Sequence, residues 1–198
     1  MKLNKKYWSD RYSKNEINWD LGQISPPFKS FIDKMIDKEI NILIPGCGNG
    51  YEAEYLFNNG FLNTTIVDIA FEPLENFNNR VVGFPNNQLL NQNFFDLNEE
   101  KKFDLILEQT FFCAFHPMYR KNYVKKIYRL LNDFGKFAGL FFYNIPNTEN
   151  PPFGGNKIEY LKLFSPYFDK ITFQQCENST SSRKDKEYWF EFLKNTIS

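Results

Sequence analysis

The sequence predicts a doubly wound α/β fold, with five strands alternating with helices and a closing antiparallel hairpin, seven strands in all. Three observations carry this. The apolar run Asn41-Ile-Leu-Ile-Pro45 enters a turn with Gly46, Gly48 and Gly50 at every second position. The helix-compatible Tyr51-Glu-Ala-Glu-Tyr-Leu-Phe57 follows, which gives strand, glycine turn and helix start. Short apolar runs and helical patterns then alternate as far as residue 143, the signature of a parallel sheet covered by helices. Last, 167–176 and 186–193 read as strands joined across a polar, turn-like stretch.

The length of 198 residues suits one domain, 1–198, with 1–37 as an N-terminal helical flap. The charge balances, 24 Lys+Arg against 24 Asp+Glu, so no electrostatic footprint of a nucleic-acid binder exists and a small substrate is expected. Cys47, Cys113 and Cys176 are scattered, no C-x-x-C occurs and there is one histidine, so no metal site is expected. Sparse cysteines, no apolar leader and no long apolar run predict a cytoplasmic protein with no membrane partner.

In chain order, Trp8 and Tyr12 lie four apart on a short helix, and Trp19 follows in the loop Asn18-Trp-Asp-Leu-Gly-Gln23. These rings either staple the segment to the core or close over a ligand. Few residues of 1–25 can join the sheet core, so this segment is expected to be the most mobile. Pro26-Pro27 opens a helix to about residue 36, with Phe28, Phe31, Ile32, Met35 and Ile36 as its apolar stripe. The first strand spans 40–45 and the next helix 51–58. In the glycine loop, Gly46 and Gly48 let backbone approach a ligand, and the helix start offers free N–H groups. The spacing is G-x-G-x-G, and Tyr51 occupies the place of a third dinucleotide glycine. A ligand without a pyrophosphate fits better, and S-adenosyl-L-methionine is the candidate.

Strand 63–68 ends on Asp68, 22 positions after Gly46, where an acid accepts hydrogen bonds from ribose hydroxyls. A helix over 71–79 and a strand over 88–93 lead to Phe95 and Asp96. Asp96 either accepts from an adenine amino group, with Phe95 against the ring, or caps a turn. Strand 103–108 runs into Gln109-Thr-Phe-Phe-Cys-Ala-Phe-His116, an aromatic loop at a carboxyl strand end, where ligands sit in such sheets. His116 is the only imidazole base available, or else a turn residue before Pro117. Cys113 reads as a small core residue rather than a nucleophile. Arg120 lies in the first turn of the helix 118–131, against the helix dipole; it faces an anion or is a surface arginine. Strand 137–143, the Pro/Gly-rich loop 146–155 and a helix over 157–164 precede the hairpin. Its connection, 177–185, reads as a mobile turn.

The chain resembles the thiopurine/thiol S-methyltransferase family of class I S-adenosylmethionine-dependent methyltransferases, which includes plant halide and thiol methyltransferases. The likeness rests on Trp8, Trp19-Asp-Leu-Gly-Gln23 with Pro26-Pro27, Pro45-Gly-Cys-Gly-Asn-Gly-Tyr51, Asp68, Phe94-Phe-Asp96, Phe103-Asp-Leu-Ile106, Thr110-Phe-Phe-Cys-Ala114, Arg120 and Pro151-Pro-Phe-Gly-Gly155. It implies a Rossmann-like methyltransferase sheet, in which the antiparallel edge hairpin is the distinguishing mark. It implies that Trp8, Tyr12 and Trp19 cover the cofactor, that Gly46 and Gly48 pass its methionine part, that Asp68 holds the ribose, and that Phe95, Asp96 and Gln109 belong to the cofactor site. Phe112, His116, Arg120, Phe153 and Arg183 then face a small-molecule methyl acceptor, with Arg120 orienting it.

Tyr12, Gln109 and His116 depart from the plant pattern of Trp, Tyr and an acidic residue. The reaction implied is methyl transfer to a soft nucleophile, foremost a thiol, yielding S-adenosyl-L-homocysteine, in a monomer or weak dimer. Halide or thiocyanate methylation and a non-catalytic cofactor sensor are the alternatives.

Overall fold

The computed structural model describes residues 4–143, 145 and 149–194; the first three residues of the predicted 146–155 loop, Pro146, Asn147 and Thr148, lie outside them. The elements are α1 (Lys5–Ser13), α2 (Pro26–Ile32), β1 (Ile42–Pro45), α3 (Tyr51–Asn58), β2 (Thr64–Asp68), α4 (Glu72–Arg80), β3 (Leu89–Asn91), β4 (Phe103–Gln109), α5 (Arg120–Leu130), β5 (Leu131–Phe142), α6 (Lys157–Phe164), β6 (Phe168–Gln175) and β7 (Glu187–Lys194). The strands form a seven-stranded sheet in the order β3-β2-β1-β4-β5-β7-β6. The chain divides into two compact units, Met1–Leu97 and Asn98–Ser198.

In the first unit β1, β2 and β3 are parallel, with Ile44 opposite Ile66 and Asp68 opposite Asn91. Every residue of β1 and β2 is buried, as expected in the middle of a parallel sheet, including the polar Thr64, Thr65 and Asp68 of β2. Ala53 and Leu56 of α3 and Leu74 and Phe77 of α4 are the buried faces of their helices.

In the second unit β4 and β5 are parallel, and β5–β7 and β7–β6 are antiparallel. This core accounts for much of the phenylalanine content. Phe141 stacks on Phe190 with centroids 4.0 Å apart, and Phe112 lies 4.7 Å from Phe141. Offset and edge contacts of this kind add about 0.5–1.5 kcal/mol per pair beyond area burial.

Three elements differ from expectation. Helix α2 ends at Ile32, and Ile36 is 91% exposed, so the stripe does not reach it. The carboxylate of Asp33, at the C-cap, takes hydrogen bonds from Tyr55 and Lys29, and the chain turns there toward β1. Strand β5 begins at Leu131, because the register between β4 and β5 shifts between Phe103 and Leu105 and absorbs 132–135 as an irregularity. The hairpin connection holds a 3-10 turn at Ser181–Arg183, pinned by the buried pair Arg183–Glu187.

Candidate active site

The glycine loop leaves β1 with all three glycines in the left-handed region, φ 58° at Gly46, 53° at Gly48 and 70° at Gly50. The alternation seen in the sequence is thus a run of positions that penalise any side chain. A Cβ on Gly48 would stand 2.9 Å from the Tyr12 hydroxyl, and one on Gly50 would stand 2.5 Å from the Phe77 ring. Gly50 therefore serves the packing of α4 under the loop, and Gly48 serves the approach of the N-terminal segment.

Asp68 ends β2 and is nearly buried. Its Oδ2 accepts from the Gly48 N–H at 2.9 Å and its Oδ1 from the Ala70 N–H at 2.9 Å. Burial pushes its carboxyl up to about 6, with these N–H groups pulling the other way.

The N-terminal rings sit over this loop. Trp19 meets Trp8 edge-on at 5.5 Å and Tyr12 at 5.8 Å. Tyr12 and Trp19 are hydrogen-bonded, and burial, then the Asp68 carboxylate, raise the Tyr12 phenol far above its ordinary range. Phe95 and Asp96 lie on a 3-10 turn after β3, capped by the Asn93 side chain, which accepts from the Phe95 N–H; Asp96 is exposed. The first unit thus brings Trp8, Tyr12, Trp19, Gly48 and Asp68 together, with Phe95 and Asp96 on a separate turn.

In the second unit the aromatic loop after β4 is organised by a residue that sequence reading missed. Glu108 is fully buried. Its Oε1 accepts from the Phe111 and Phe112 N–H groups, each at 2.7 Å, and its Oε2 from the Tyr123 hydroxyl. Burial pushes its carboxyl up to about 7, against these three donors. A glutamate directly after the apolar run Leu105-Ile-Leu107, at the end of a strand, was the available signal. Next to it, Gln109 closes β4, and its buried Oε1 has no hydrogen-bond partner among the described residues.

Arg120 is 2% exposed, so neither the surface reading nor open contact with solvent applies. Nη1 pairs with Glu159 at 2.6 Å, while Nη2 donates to the Phe153 and Gly154 carbonyls at 3.1 and 2.8 Å. The guanidinium also lies 4.8 Å from the Phe112 ring centroid, and its Nε makes no hydrogen bond among the described residues. Phe153 is buried and donates its N–H to the Cys113 carbonyl at 2.8 Å. His116 is exposed; its Nδ1 accepts from the Met118 N–H, a cap on the turn before α5, and its ring meets Phe153 edge-on. Arg183 is buried against Glu187, with its guanidinium 5.5 Å from the Phe142 ring centroid. Burial, then Glu108, push the Cys113 thiol up to about 12, and Arg183 and Arg120 both oppose the rise. Burial and the raised thiol favour the small core residue over a nucleophile at Cys113.

The three cysteines are free, no cluster of three or more metal-ligating side chains occurs among the described residues, and no helix among them is long and apolar enough to cross a membrane.

Parallel strands with flanking helices, closed by the antiparallel β7–β6 edge, define a Rossmann-like methyltransferase fold. A crystal structure of the 1,6-didemethyltoxoflavin-N1-methyltransferase of Burkholderia thailandensis has this fold, with a TM-score of 0.75 at 16% identity over 97% of this chain and 87% of that one. The chain belongs to the thiopurine S-methyltransferase family, whose model matches residues 3–197. It is 28% identical to the probable thiol methyltransferase 2 of Arabidopsis thaliana, over 91% of this chain and 81% of that protein. It is 23% identical, over the same shares, to thiocyanate methyltransferase 1 of the same plant. The protein is accordingly a methyltransferase whose methyl donor is S-adenosyl-L-methionine.

Proposed function

We propose that this methyltransferase acts on the sulfur of a small thiol or thiolate. The observation that carries this is the match of the thiopurine S-methyltransferase family model to residues 3–197, and the buried Arg120 and Arg183 guanidinium groups in the phenylalanine-rich second unit agree with it. A cationic field raises the thiolate fraction of an acceptor, and aromatic walls keep water from it. The name of the plant thiol methyltransferase points the same way.

The first unit fits the donor. The left-handed Gly48, with no side chain, lets the Tyr12 hydroxyl come close beside the nearly buried carboxylate of Asp68. Gly46 and Gly48 would pass the methionine part, Asp68 would accept from the ribose hydroxyls, and Phe95 and Asp96 would meet the adenine. Trp8, Tyr12 and Trp19 would cover the sulfonium, where ring faces favour a cation. When bound, the cofactor supplies an electrophilic methyl group, so alignment and dryness matter more than a strong base.

In the second unit, Arg120 acts by its field and by holding the 153–154 carbonyls, since both of its terminal nitrogens are already engaged. Phe112, Phe153 and Arg183 would line the acceptor, with His116 at its rim. Free cysteines fit a reducing cytoplasm, and we take the protein to work there on a small molecule as a monomer or weak dimer.

The name of the thiocyanate methyltransferase supplies the second reading, a small inorganic anion as acceptor. Incubation with S-adenosyl-L-methionine and, separately, an aromatic thiol, thiocyanate or iodide tests the two. S-adenosyl-L-homocysteine and a methyl thioether should form fastest with the thiol. A faster reaction with thiocyanate or iodide selects the second reading, and cofactor binding with no turnover on any of them defeats both.

A further inference from the structure

The loop Trp19-Asp-Leu-Gly-Gln23 is tied to the glycine loop by a contact that no cofactor role requires. Asn49, between Gly48 and Gly50, is buried, and each side of its amide is assigned. Its Oδ1 accepts from Asn76 Nδ2 at 3.1 Å, which turns its Nδ2 toward Asp20 Oδ2 at 2.5 Å. The Asn49 carbonyl in turn accepts from Arg80 Nη2 at 2.5 Å. Asp20 Oδ1 accepts from the Gly22 N–H at 2.6 Å, so both carboxylate oxygens are in use as acceptors. Asp20 directly follows Trp19, the ring that meets both Trp8 and Tyr12. Two further polar ties of the segment lie near its ends, Lys5 to Asn91 at 3.2 Å and the Ser25 N–H to Glu52 at 3.3 Å. The first of these is exposed and so holds weakly.

We infer that Asp20 and Asn49 form a latch that sets the register of the aromatic segment over the glycine loop, making both of them positioning residues for the cofactor. This rests on the assignment of the cofactor to the glycine loop and Asp68. The latch needs a side chain with two acceptors at position 20. An asparagine there supplies one, so either the Gly22 N–H or Asn49 Nδ2 faces another donor. Exchanging the two residues repairs the pattern. The amide then at position 20 would accept from the Gly22 N–H and donate to the carboxylate at position 49, which still accepts from Asn76.

The test measures S-adenosyl-L-homocysteine affinity by calorimetry, and melting temperature without ligand, for wild type, Asp20→Asn, the exchange Asp20→Asn/Asn49→Asp, and Asp68→Ala. Loss of a charged hydrogen bond predicts about tenfold weaker binding for Asp20→Asn, with an unliganded melting temperature near wild type and KM for the methyl donor raised more than kcat is lowered. The exchange should return affinity to within about threefold of wild type. Unchanged affinity in Asp20→Asn, or a loss that the exchange does not repair, overturns the latch. If Asp68→Ala also binds normally, the assignment of the cofactor site fails and the latch with it; if Asp68→Ala alone is weak, the site stands and only the latch is lost.

Discussion

The Gly48 N–H donates to Asp68 Oδ2 at 2.9 Å, so the carboxylate that ends β2 also fixes the backbone of the glycine loop. Loop and acid form one unit, and a change to either acts on both.

Gly48→Ala should therefore cost more function than stability. The left-handed backbone costs an alanine about 1–2 kcal/mol, and the new methyl would meet the Tyr12 hydroxyl at 2.9 Å, the mobile end of a side chain that can swing away. That movement takes Tyr12 from the loop and should weaken S-adenosyl-L-homocysteine binding. Gly50→Ala should do the reverse, because its methyl would meet the buried Phe77 ring at 2.5 Å. About 2–4 kcal/mol of stability should be lost there. Urea denaturation with calorimetry separates the two; equal stability losses would count against the packing role of Gly50.

Glu108 predicts a pH dependence. Its folded value, about 7, lies above its ordinary 4.5, so the neutral acid is the form the fold prefers. That preference contributes fully below pH 4.5 and is lost as pH rises through 7. Asp68, raised from 3.8 to about 6, acts in the same sense at slightly lower pH. Gln in place of Glu108 keeps an acceptor for the Phe111 and Phe112 N–H groups and offers a donor to the Tyr123 oxygen, and it does not titrate. Between pH 4.5 and 8, Glu108→Gln should lose less stability than wild type, by on the order of 2–3 kcal/mol. Parallel stability curves for the two proteins would contradict the assignment.

Arg120→Lys should destabilise by about 3 kcal/mol, because one ammonium cannot serve a carboxylate and two carbonyls together. Glu159→Gln should cost less than about 1 kcal/mol, since the Glu159 side chain is 40% exposed and water can replace it in part. Equal costs in denaturation would mean that the ion pair, rather than the grip on the Phe153 and Gly154 carbonyls, is what Arg120 contributes.

Much of this was legible in the sequence because local rules carried it. Glycines at every second position announced a tight turn where backbone can approach a ligand, and the alternation of elements announced the sheet. Residues whose work depends on distant partners were not legible. Arg120 reads as a charged helix start until Glu159 and the Phe153–Gly154 carbonyls close around it, contacts 33 to 39 positions away. Asn49 reads as a spacer between glycines until Asp20 and Asn76 take the two ends of its amide. The end of α2 was overrun because an apolar stripe does not record where the chain must turn away, and Ile36 is left in water.

The central claim is that the glycine loop and Asp68 hold the methyl donor, and calorimetric titration of S-adenosyl-L-homocysteine into wild type and Asp68→Ala tests it most directly. Wild type should bind one equivalent, and the variant should bind at least about tenfold more weakly while still folded, as expected for loss of hydrogen bonds to a charged group. Equal affinity in the two proteins would place the cofactor elsewhere and contradict the account.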